Sequence, residues 1–427
     1  MPERRLFDFR KEEIPLAGLM FCFFFLIITV FQILKPLKNG LFVHTFGAYL
    51  ELYAKMGNIA VAVLAMLGFT YLFNHMERQR LLYTLCSFFI TAFILFAFLL
   101  IHPTTVPIWG FYMLGDLIPT LMVAAFWAYL TDITTADQSK RLYGLIGAGG
   151  VIGGWVGTTI SKFLLNELGQ FGLMLLSAFL MGMVMVITFF VERRAQKLPS
   201  TQVQASPQKS EPKVSDALEG AKMAFRSTYI AAIVGMVGFY EFGSQILDYI
   251  FKKSTENMAS TTATQASLAN VYFYANALAV IVQLFLVSFI MKRFGPKVAL
   301  LIGPAAVLFS SITYFVMPEF VALLVISDNG LNYSMTQTAR ESLYVVTSRE
   351  EKYKARAFTN MFVQRLAKGL GSLTVILLGV FALLSTPRYL SILVMGVMVI
   401  IGVLGLYAGH RFEEKTLESN LQDKSRV

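Results

Sequence analysis

The amino-acid sequence predicts an all-α polytopic membrane protein with twelve transmembrane helices arranged as two six-helix bundles. The chain of 427 residues is 56% hydrophobic and has a mean hydropathy of +0.62. Charged residues make up 15% of it, below the ~25% found in soluble domains. Apolar runs of about 18 or more residues, each long enough to cross a bilayer as a helix, recur along the whole chain.

Twelve apolar segments account for these runs. They cover approximately residues 14–35, 47–75, 80–101, 107–132, 142–166, 171–191, 228–251, 266–291, 297–317, 319–346, 357–384 and 387–410. Basic residues concentrate in alternate loops, and the remaining loops carry few cations apart from Lys38, Lys252, Lys253 and Arg388. The positive-inside rule then predicts cytoplasmic N- and C-termini, for a protein of the bacterial inner membrane.

Composition also excludes several classes of function. The net charge of +10 follows from the membrane orientation and does not indicate nucleic-acid binding. Cys22 and Cys86 lie inside apolar segments, without the spacing of a disulfide or a metal site. Two of the four histidines, His44 and His102, fall in predicted loops, and no Ser-His-Asp arrangement is apparent. We therefore expect no catalytic residues, no metal and no cofactor. The charged N-terminus does not fit a cleaved signal peptide.

One long hydrophilic break organises the chain. It predicts an N-terminal bundle at 1–192, a cytoplasmic linker at 193–225 and a C-terminal bundle at 226–427. Residues 197–213 are rich in Pro, Ser and Gln, which predicts disorder. Six spans on each side of a break is the plan of the major facilitator superfamily, whose two bundles rock around a site near the bilayer midplane. A non-transporting receptor on this fold would need a soluble output domain, for which the break is too short.

A weak internal repeat agrees with this division. Thr135 and Ser348 follow the fourth and tenth spans at an offset of 213 residues (348 − 135). Asp116 and Asp328 hold matching places inside those spans at an offset of 212 (328 − 116). Each acid could pair with a membrane cation or carry a proton.

The candidate binding residues are cations near or inside apolar segments. Arg365 and Lys368 lie three residues apart on one helical face, after Arg340 and Glu341 close the preceding span. A cation at membrane depth costs roughly 2.5–3.5 kcal/mol. We therefore expect both to bind an anionic solute. The alternatives are ion pairs with Asp328, Glu341 or another acid, and snorkelling to the interface.

Two lysines near the N-terminus belong to the same group. Lys38 follows the first predicted span, three residues after Lys35, and either lines the site or snorkels to the interface. Lys55 lies inside the second span, four residues after Glu51, which predicts an ion pair within that helix.

The seventh span carries a polar face. Glu241, Gln245 and Asp248 follow the i, i+4, i+7 spacing, with Tyr240 and Tyr249 beside them. Such a face lines a water-filled cavity or forms hydrogen bonds between helices.

The fifth span carries glycines at every fourth residue, Gly149, Gly153 and Gly157. A nucleotide-binding loop is excluded, because it needs a preceding strand and a following Lys-Ser or Lys-Thr. The spacing predicts close helix packing. One function of such a packed surface is to let the two bundles slide past each other.

Four stretches of the chain resemble one transporter family. They are Leu34-Lys-Pro-Leu-Lys38-Asn-Gly-Leu-Phe-Val43, Gly47-Ala48 with Lys55, Phe126-Trp-Ala-Tyr-Leu-Thr-Asp-Ile-Thr134 followed by Lys140-Arg141, and Tyr333-Ser334 with Arg340-Glu341 and Lys368-Gly-Leu-Gly-Ser372. In order and spacing they are similar to motifs of the ATP/ADP translocase (nucleotide transporter) family of plastids and intracellular bacteria, a divergent branch of the major facilitator superfamily.

This resemblance implies roles for individual residues. Lys38 and Lys368 match the family's first-span and late-span lysines, and Asp116 stands near its fourth-span glutamate. The family's seventh-span Glu-Val-Thr-Trp-Lys falls near Gln245-Ile-Leu-Asp248-Tyr249. There the acid is either lost or displaced to Glu241 or Asp248, and the lysine is absent.

The prediction is a secondary active transporter that works by alternating access, as a monomer in the lipid bilayer. Its solute is expected to be anionic and phosphate-bearing, with a nucleotide exchanged in the ATP/ADP manner as the first candidate. The alternative is a proton-coupled carrier of a small metabolite or drug. The expected substrate-binding residues are Lys38, Lys55, Arg365, Lys368, Gln245 and Tyr249. The expected coupling or gating residues are Asp116, Glu241, Asp248, Asp328, Arg340 and Glu341.

Overall fold

A computed structural model of the chain describes residues 13–195, 222, 227–347, 351, 355–356, 358–380 and 386–424. These residues fold into helices and contain no β-strand, which confirms the all-α prediction. The charged N-terminal residues 1–12 and the predicted disordered segment 197–213 lie outside the described residues.

The described residues form twelve α-helical segments, named here in chain order. They are α1 (Ile14–His75), α2 (Arg78–Leu99), α3 (Thr105–Ile133), α4 (Ala136–Ala195), α5 (Thr228–Thr255), α6 (Thr261–Ile281), α7 (Val287–Arg293), α8 (Gly295–Val316), α9 (Val321–Leu331), α10 (Gln337–Leu343), α11 (Gln364–Val380) and α12 (Pro387–Lys424). Short π-helical segments lie at Val282–Leu286, Asn332–Thr336 and Thr359–Val363, and 3-10 turns at Pro318–Phe320 and Tyr344–Val346. These labels count helical segments and not membrane crossings.

Within the described residues, eight helical stretches are long and apolar enough to cross a membrane. Two of them, in α1 and α4, contain a non-helical glycine. Gly47 has φ 80° and Gly169 has φ 64°, a backbone region that favours glycine because it lacks a Cβ atom. Each glycine therefore divides its helix into two runs, and Gly169 falls at the predicted border between the fifth and sixth spans. The total of twelve crossings stays a prediction.

The expectation that residues 36–46 form a loop between the first two spans is wrong. Residues 36–46 are helical, and α1 continues through Pro36 to the bend at Gly47. The sequence suggested a loop because Lys35, Pro36 and Lys38 interrupt the apolar run. In the structure the Lys38 side chain is buried and paired with a carboxylate, so the helix does not have to end there.

Two compact units make up the chain. Unit 1 comprises residues 1–46, 57–209 and 258–273, and unit 2 comprises residues 47–56, 210–257 and 274–427. Each unit therefore includes a short segment from the other half of the sequence. In unit 2 this segment is the start of the helical run after Gly47, and in unit 1 it includes the first part of α6.

In unit 1, the glycine row of α4 packs directly against α1. A Cβ atom at Gly149 would lie 2.7 Å from the carbonyl oxygen of Phe21, and one at Gly157 would lie 2.5 Å from that of Thr29. A Cβ atom at Gly153 would overlap the carbonyl oxygen of Phe25. The prediction of close packing is thus confirmed, with the small residues allowing two helix backbones to approach within one unit.

In unit 2, α5 packs against α11 and α12, and α12 also packs against α8. Gly371 of α11 lies against α5, where an added Cβ atom would be 2.9 Å from the carbonyl oxygen of Phe242 and 3.0 Å from Cβ of Gln245. This close approach brings the polar face of α5 next to α11.

Candidate functional site

The first polar cluster surrounds Lys38 in unit 1. Its side chain is 4% exposed, and its ammonium nitrogen lies 2.8 Å from Oδ1 of Asp116 in α3. The same nitrogen donates a 3.0 Å hydrogen bond to Oδ1 of Asn39 and lies 4.3 Å from the centroid of the Tyr112 ring. A Cβ atom at Gly115 would overlap the Lys38 side chain, so this glycine makes room for the lysine.

Asp116 accepts a second hydrogen bond, from the Asn58 amide nitrogen to Oδ2. Both oxygens of its carboxylate therefore have partners within unit 1. The structure brings together Lys38 and Asp116, which the resemblance had matched to two functional positions. Sequence reasoning missed Asn58, because it is a single amide inside the apolar segment 47–75.

A second set of contacts in unit 1 connects α1 to the start of α6. Nδ2 of Asn39 donates to the Tyr272 hydroxyl at 3.3 Å, and the Lys35 ammonium lies 4.4 Å from the centroid of the Tyr272 ring. Nε2 of Gln265 donates to the Leu37 carbonyl oxygen at 3.0 Å and to Oε1 of Gln170 at 2.6 Å. None of these amide and tyrosine residues was predicted, because single polar residues in apolar helices carry no spacing pattern.

Unit 2 contains a buried network of two acids and two lysines. The Lys252 ammonium lies 2.5 Å from Oε1 of Glu51 and 2.9 Å from Oδ2 of Asp248. Lys55 also pairs with Oδ2 of Asp248 and donates a 3.3 Å hydrogen bond to Oε1 of Gln245. Lys252 and Glu51 are 2% and 1% exposed. The charges alternate along the network, which is the arrangement that a low-dielectric interior requires.

The network changes the interpretation of two lysines. Lys55 was expected to pair with Glu51 or to bind solute, and in the structure it pairs with Asp248. Lys252 was counted as a loop cation, and it lies inside α5. Its position four residues after Asp248 was the signal that could have identified it. Tyr249, on the same helix, is also buried.

The late cations lie in α11. The Lys368 ammonium is 3.2 Å from Oε2 of Glu241, and its side chain is 56% exposed. Lys368 is therefore an exposed side chain whose ammonium lies beside a carboxylate of α5. Arg365 is half-buried.

The predicted acid partners of these cations are engaged elsewhere. Oδ2 of Asp328 in α9 accepts a 2.6 Å hydrogen bond from the Ser244 hydroxyl. Glu341 pairs with Arg356. Asp328 and Arg340 both line one cavity inside unit 2. The two acids related by the sequence repeat thus have different surroundings, an ammonium at Asp116 and a hydroxyl at Asp328.

The described residues contain no group of three or more His, Cys, Asp or Glu side chains that could hold a metal ion. The chemistry of the two units is instead that of ammonium groups held beside carboxylates. One way for such a group to bind an anion is to exchange its carboxylate partner for that anion.

The helical architecture defines a multi-pass integral membrane protein with the transporter fold of the major facilitator superfamily. A solved structure of a mutant of the nucleoside transporter NupG aligns with a TM-score of 0.59 at 16% identity, covering 92% of this chain and 99% of that one. A bacterial homolog of the human lysosomal transporter Spinster, in an inward-facing and unoccupied conformation, aligns with a TM-score of 0.57 at 13% identity, over 96% and 99% of the two chains.

The sequence identifies the family within this fold. The family model described as TLC ATP/ADP transporter matches residues 3–108 and 104–328, and the chain belongs to this family. It is 24% identical to ADP,ATP carrier protein 5 of Rickettsia typhi, over 89% of this chain and 88% of that protein. It is 22% identical to the chloroplastic ADP,ATP carrier protein 2 of Arabidopsis thaliana, over 91% and 72% of the two chains. The resemblance drawn from the four stretches is confirmed.

Proposed function

We propose that the protein is a secondary active transporter that moves a nucleotide, or another anionic phosphate-bearing solute, by alternating access. Exchange of ATP for ADP is the first candidate, because the relatives are named as ADP,ATP carriers and the chain belongs to their family. We place the protein as a monomer in the inner membrane with cytoplasmic termini. The two rocking bodies would be the bundles 1–192 and 226–427, joined by the linker 193–225.

The ion pair between Lys38 and Asp116 is the observation that carries this proposal. Lys38 holds a buried positive charge on a helix, at the position that matches a functional lysine of the family. Its partner Asp116 is 36% exposed, which leaves the ion pair accessible from outside the packed core of unit 1. Phosphate oxygens accept short charge-assisted hydrogen bonds from an ammonium group, as the Asp116 carboxylate does.

The same exchange can operate in unit 2. Lys55 is held by Asp248 and Lys368 by Glu241, and both acids belong to the polar face of α5. We assign these lysines to solute binding and their acids to coupling or gating. Arg365, Gln245 and Tyr249 would complete the binding residues, and Arg340 and Glu341 the gating residues.

Exchange in proteoliposomes tests the proposal. Vesicles preloaded with ATP, ADP or buffer would be assayed for uptake of radiolabelled ATP. Uptake that requires internal nucleotide is expected. Lys38→Gln should weaken solute binding by about 1.5–3 kcal/mol, the range for a charged hydrogen bond. Lys292→Gln serves as the control, because Lys292 is an exposed lysine at the end of α7.

Two results would contradict the proposal. Nucleotide uptake that is the same in preloaded and empty vesicles would rule out exchange. Equal affinity in the Lys38→Gln and Lys292→Gln variants would remove Lys38 from the binding site.

A second candidate is the proton-coupled carrier of a small metabolite. Asp328 favours it, because its Oδ1 is buried and has no hydrogen-bond partner among the described residues. In empty vesicles, solute uptake that is driven by an imposed proton gradient would distinguish this candidate from obligatory exchange.

A further inference from the structure

A cavity inside unit 2 contains an incompletely bonded carboxyl group. Asp328 is 3% exposed, and its Oδ2 accepts a hydrogen bond from Ser244, while its Oδ1 has no partner within the described residues. An ionised carboxylate in such a place is costly unless a cation or several donors compensate it. The structure gives Asp328 no salt bridge to any described residue.

A second acceptor lies one helical turn further along. Oδ1 of Asn332 is also buried and lacks a hydrogen-bond partner among the described residues. Asp328 and Asn332 line the same cavity, at the i and i+4 positions whose side chains are neighbours on a helix. Two acceptors thus face one cavity, and neither has a donor among those residues. A single donor placed between them would satisfy both.

The polar and charged groups around the cavity act in opposite directions. Glu241 and Asp248 of α5 face Asp328 and disfavour a further negative charge, while the Tyr240 hydroxyl interacts with its carboxyl group and favours the charged form. Arg340 lines the same cavity from α10. The residues that α8 and α12 contribute to the lining are uncharged, among them Leu300, Pro304 and Met398.

We propose that this cavity is a proton-binding site, in which Asp328 carries a proton on Oδ1 and donates it to Oδ1 of Asn332. The proton comes from hydronium in water, and one O–H bond forms on the carboxyl group as the hydronium becomes water. The negative charge of the carboxylate disappears, Oδ2 keeps its bond from Ser244, and both unsatisfied acceptors gain a partner. The role of this proton in transport rests on the proposed function, whereas the proton-binding site itself does not.

Infrared spectroscopy of the full chain in lipid at neutral pH tests the site directly. The wild-type protein is expected to show a carboxylic acid C=O band that is lost in Asp328→Asn. The matched control is Asp116→Asn, which should keep the band because Asp116 does not line this cavity and pairs with the Lys38 ammonium instead. Asn332→Ala should keep the band and shift it to higher frequency, since the acceptor of the O–H bond is removed.

Several outcomes would overturn the proposal. Identical carboxyl regions in wild type and Asp328→Asn would show an ionised Asp328. An unshifted band in Asn332→Ala would remove Asn332 as the acceptor. A thermal midpoint raised by sodium over choline chloride in wild type, and not in Asp328→Asn, would identify a metal-cation site. A wild-type protein that shows the carboxylic acid band but exchanges no nucleotide would refute the proposed function and leave the proton-binding site standing.

Discussion

The buried network of unit 2 offers the sharpest test of the packing. Lys252→Met removes the ammonium that lies 2.5 Å from Glu51 and 2.9 Å from Asp248. Asp248 retains Lys55, but Glu51, at 1% exposure, loses the Lys252 charge beside it. Breaking a buried ion pair from one side costs about 3–5 kcal/mol, because the remaining charge is uncompensated. We expect a loss of that size in the free energy of unfolding.

The adjacent lysine supplies the control. Lys253 pairs with Glu256, but its side chain is 37% exposed, and Glu256 keeps a bond from the Ala48 backbone N–H. Lys253→Met should therefore cost only about 0–1 kcal/mol. SDS titration of the purified variants in mixed micelles, followed by intrinsic fluorescence, measures both losses under the same conditions.

A double variant separates the ion pair from other effects of the substitution. Adding Glu51→Gln to Lys252→Met removes the carboxylate that lost the Lys252 ammonium, so the double variant should be about 0.5–3 kcal/mol more stable than the sum of the single losses predicts. Equal losses in Lys252→Met and Lys253→Met, or strictly additive losses in the double variant, would refute the reasoning.

Three further predictions rest on single contacts. Gly153→Ala should destabilise the protein by about 1–3 kcal/mol in the same titration, by forcing α4 away from α1; Gly147→Ala, whose Cβ atom meets nothing within 4 Å, should cost nothing. Lys368→Gln should leave stability within about 1 kcal/mol and weaken anion binding by about 1.5–3 kcal/mol in a titration. A stability loss rescued by Glu241→Gln at unchanged affinity would contradict this. Asp116→Asn should tighten binding of an anionic solute and impair exchange, and weaker binding would refute its role as a competitor.

Much of the fold could be predicted because it depends on local pattern. Long apolar runs predicted the helices, and the four-residue glycine spacing predicted a close helix contact, which the structure forms between α4 and α1. The polar face of α5 was also correctly placed, since Glu241, Gln245 and Asp248 all contact residues from other segments of unit 2. Periodicity along one helix is sufficient for such features.

The charged residues were harder to place, because a buried charge depends on a partner that is distant in sequence. Lys252 seemed to end a span, and it is buried because Glu51, about 200 residues earlier, faces it. Lys38 seemed to lie in a loop, and it is buried because Asp116 faces it. Hydropathy treats each lysine as a span end, whereas the structure compensates the charge and continues the helix.

The pairs themselves connect the two groups of residues that the sequence separated. Lys38, Lys55 and Lys368 were selected as binding cations, and Asp116, Asp248 and Glu241 as coupling acids. The structure pairs each of these lysines with one of these acids, and Asp248 also pairs with Lys252. In the proposed function, a solute phosphate reaches its lysine by displacing a carboxylate. That carboxylate loses the charge of this lysine at the same step, which favours its movement toward water or its uptake of a proton. Binding and the response of the acid would then be one event, which is the link that the proposed coupled transport needs.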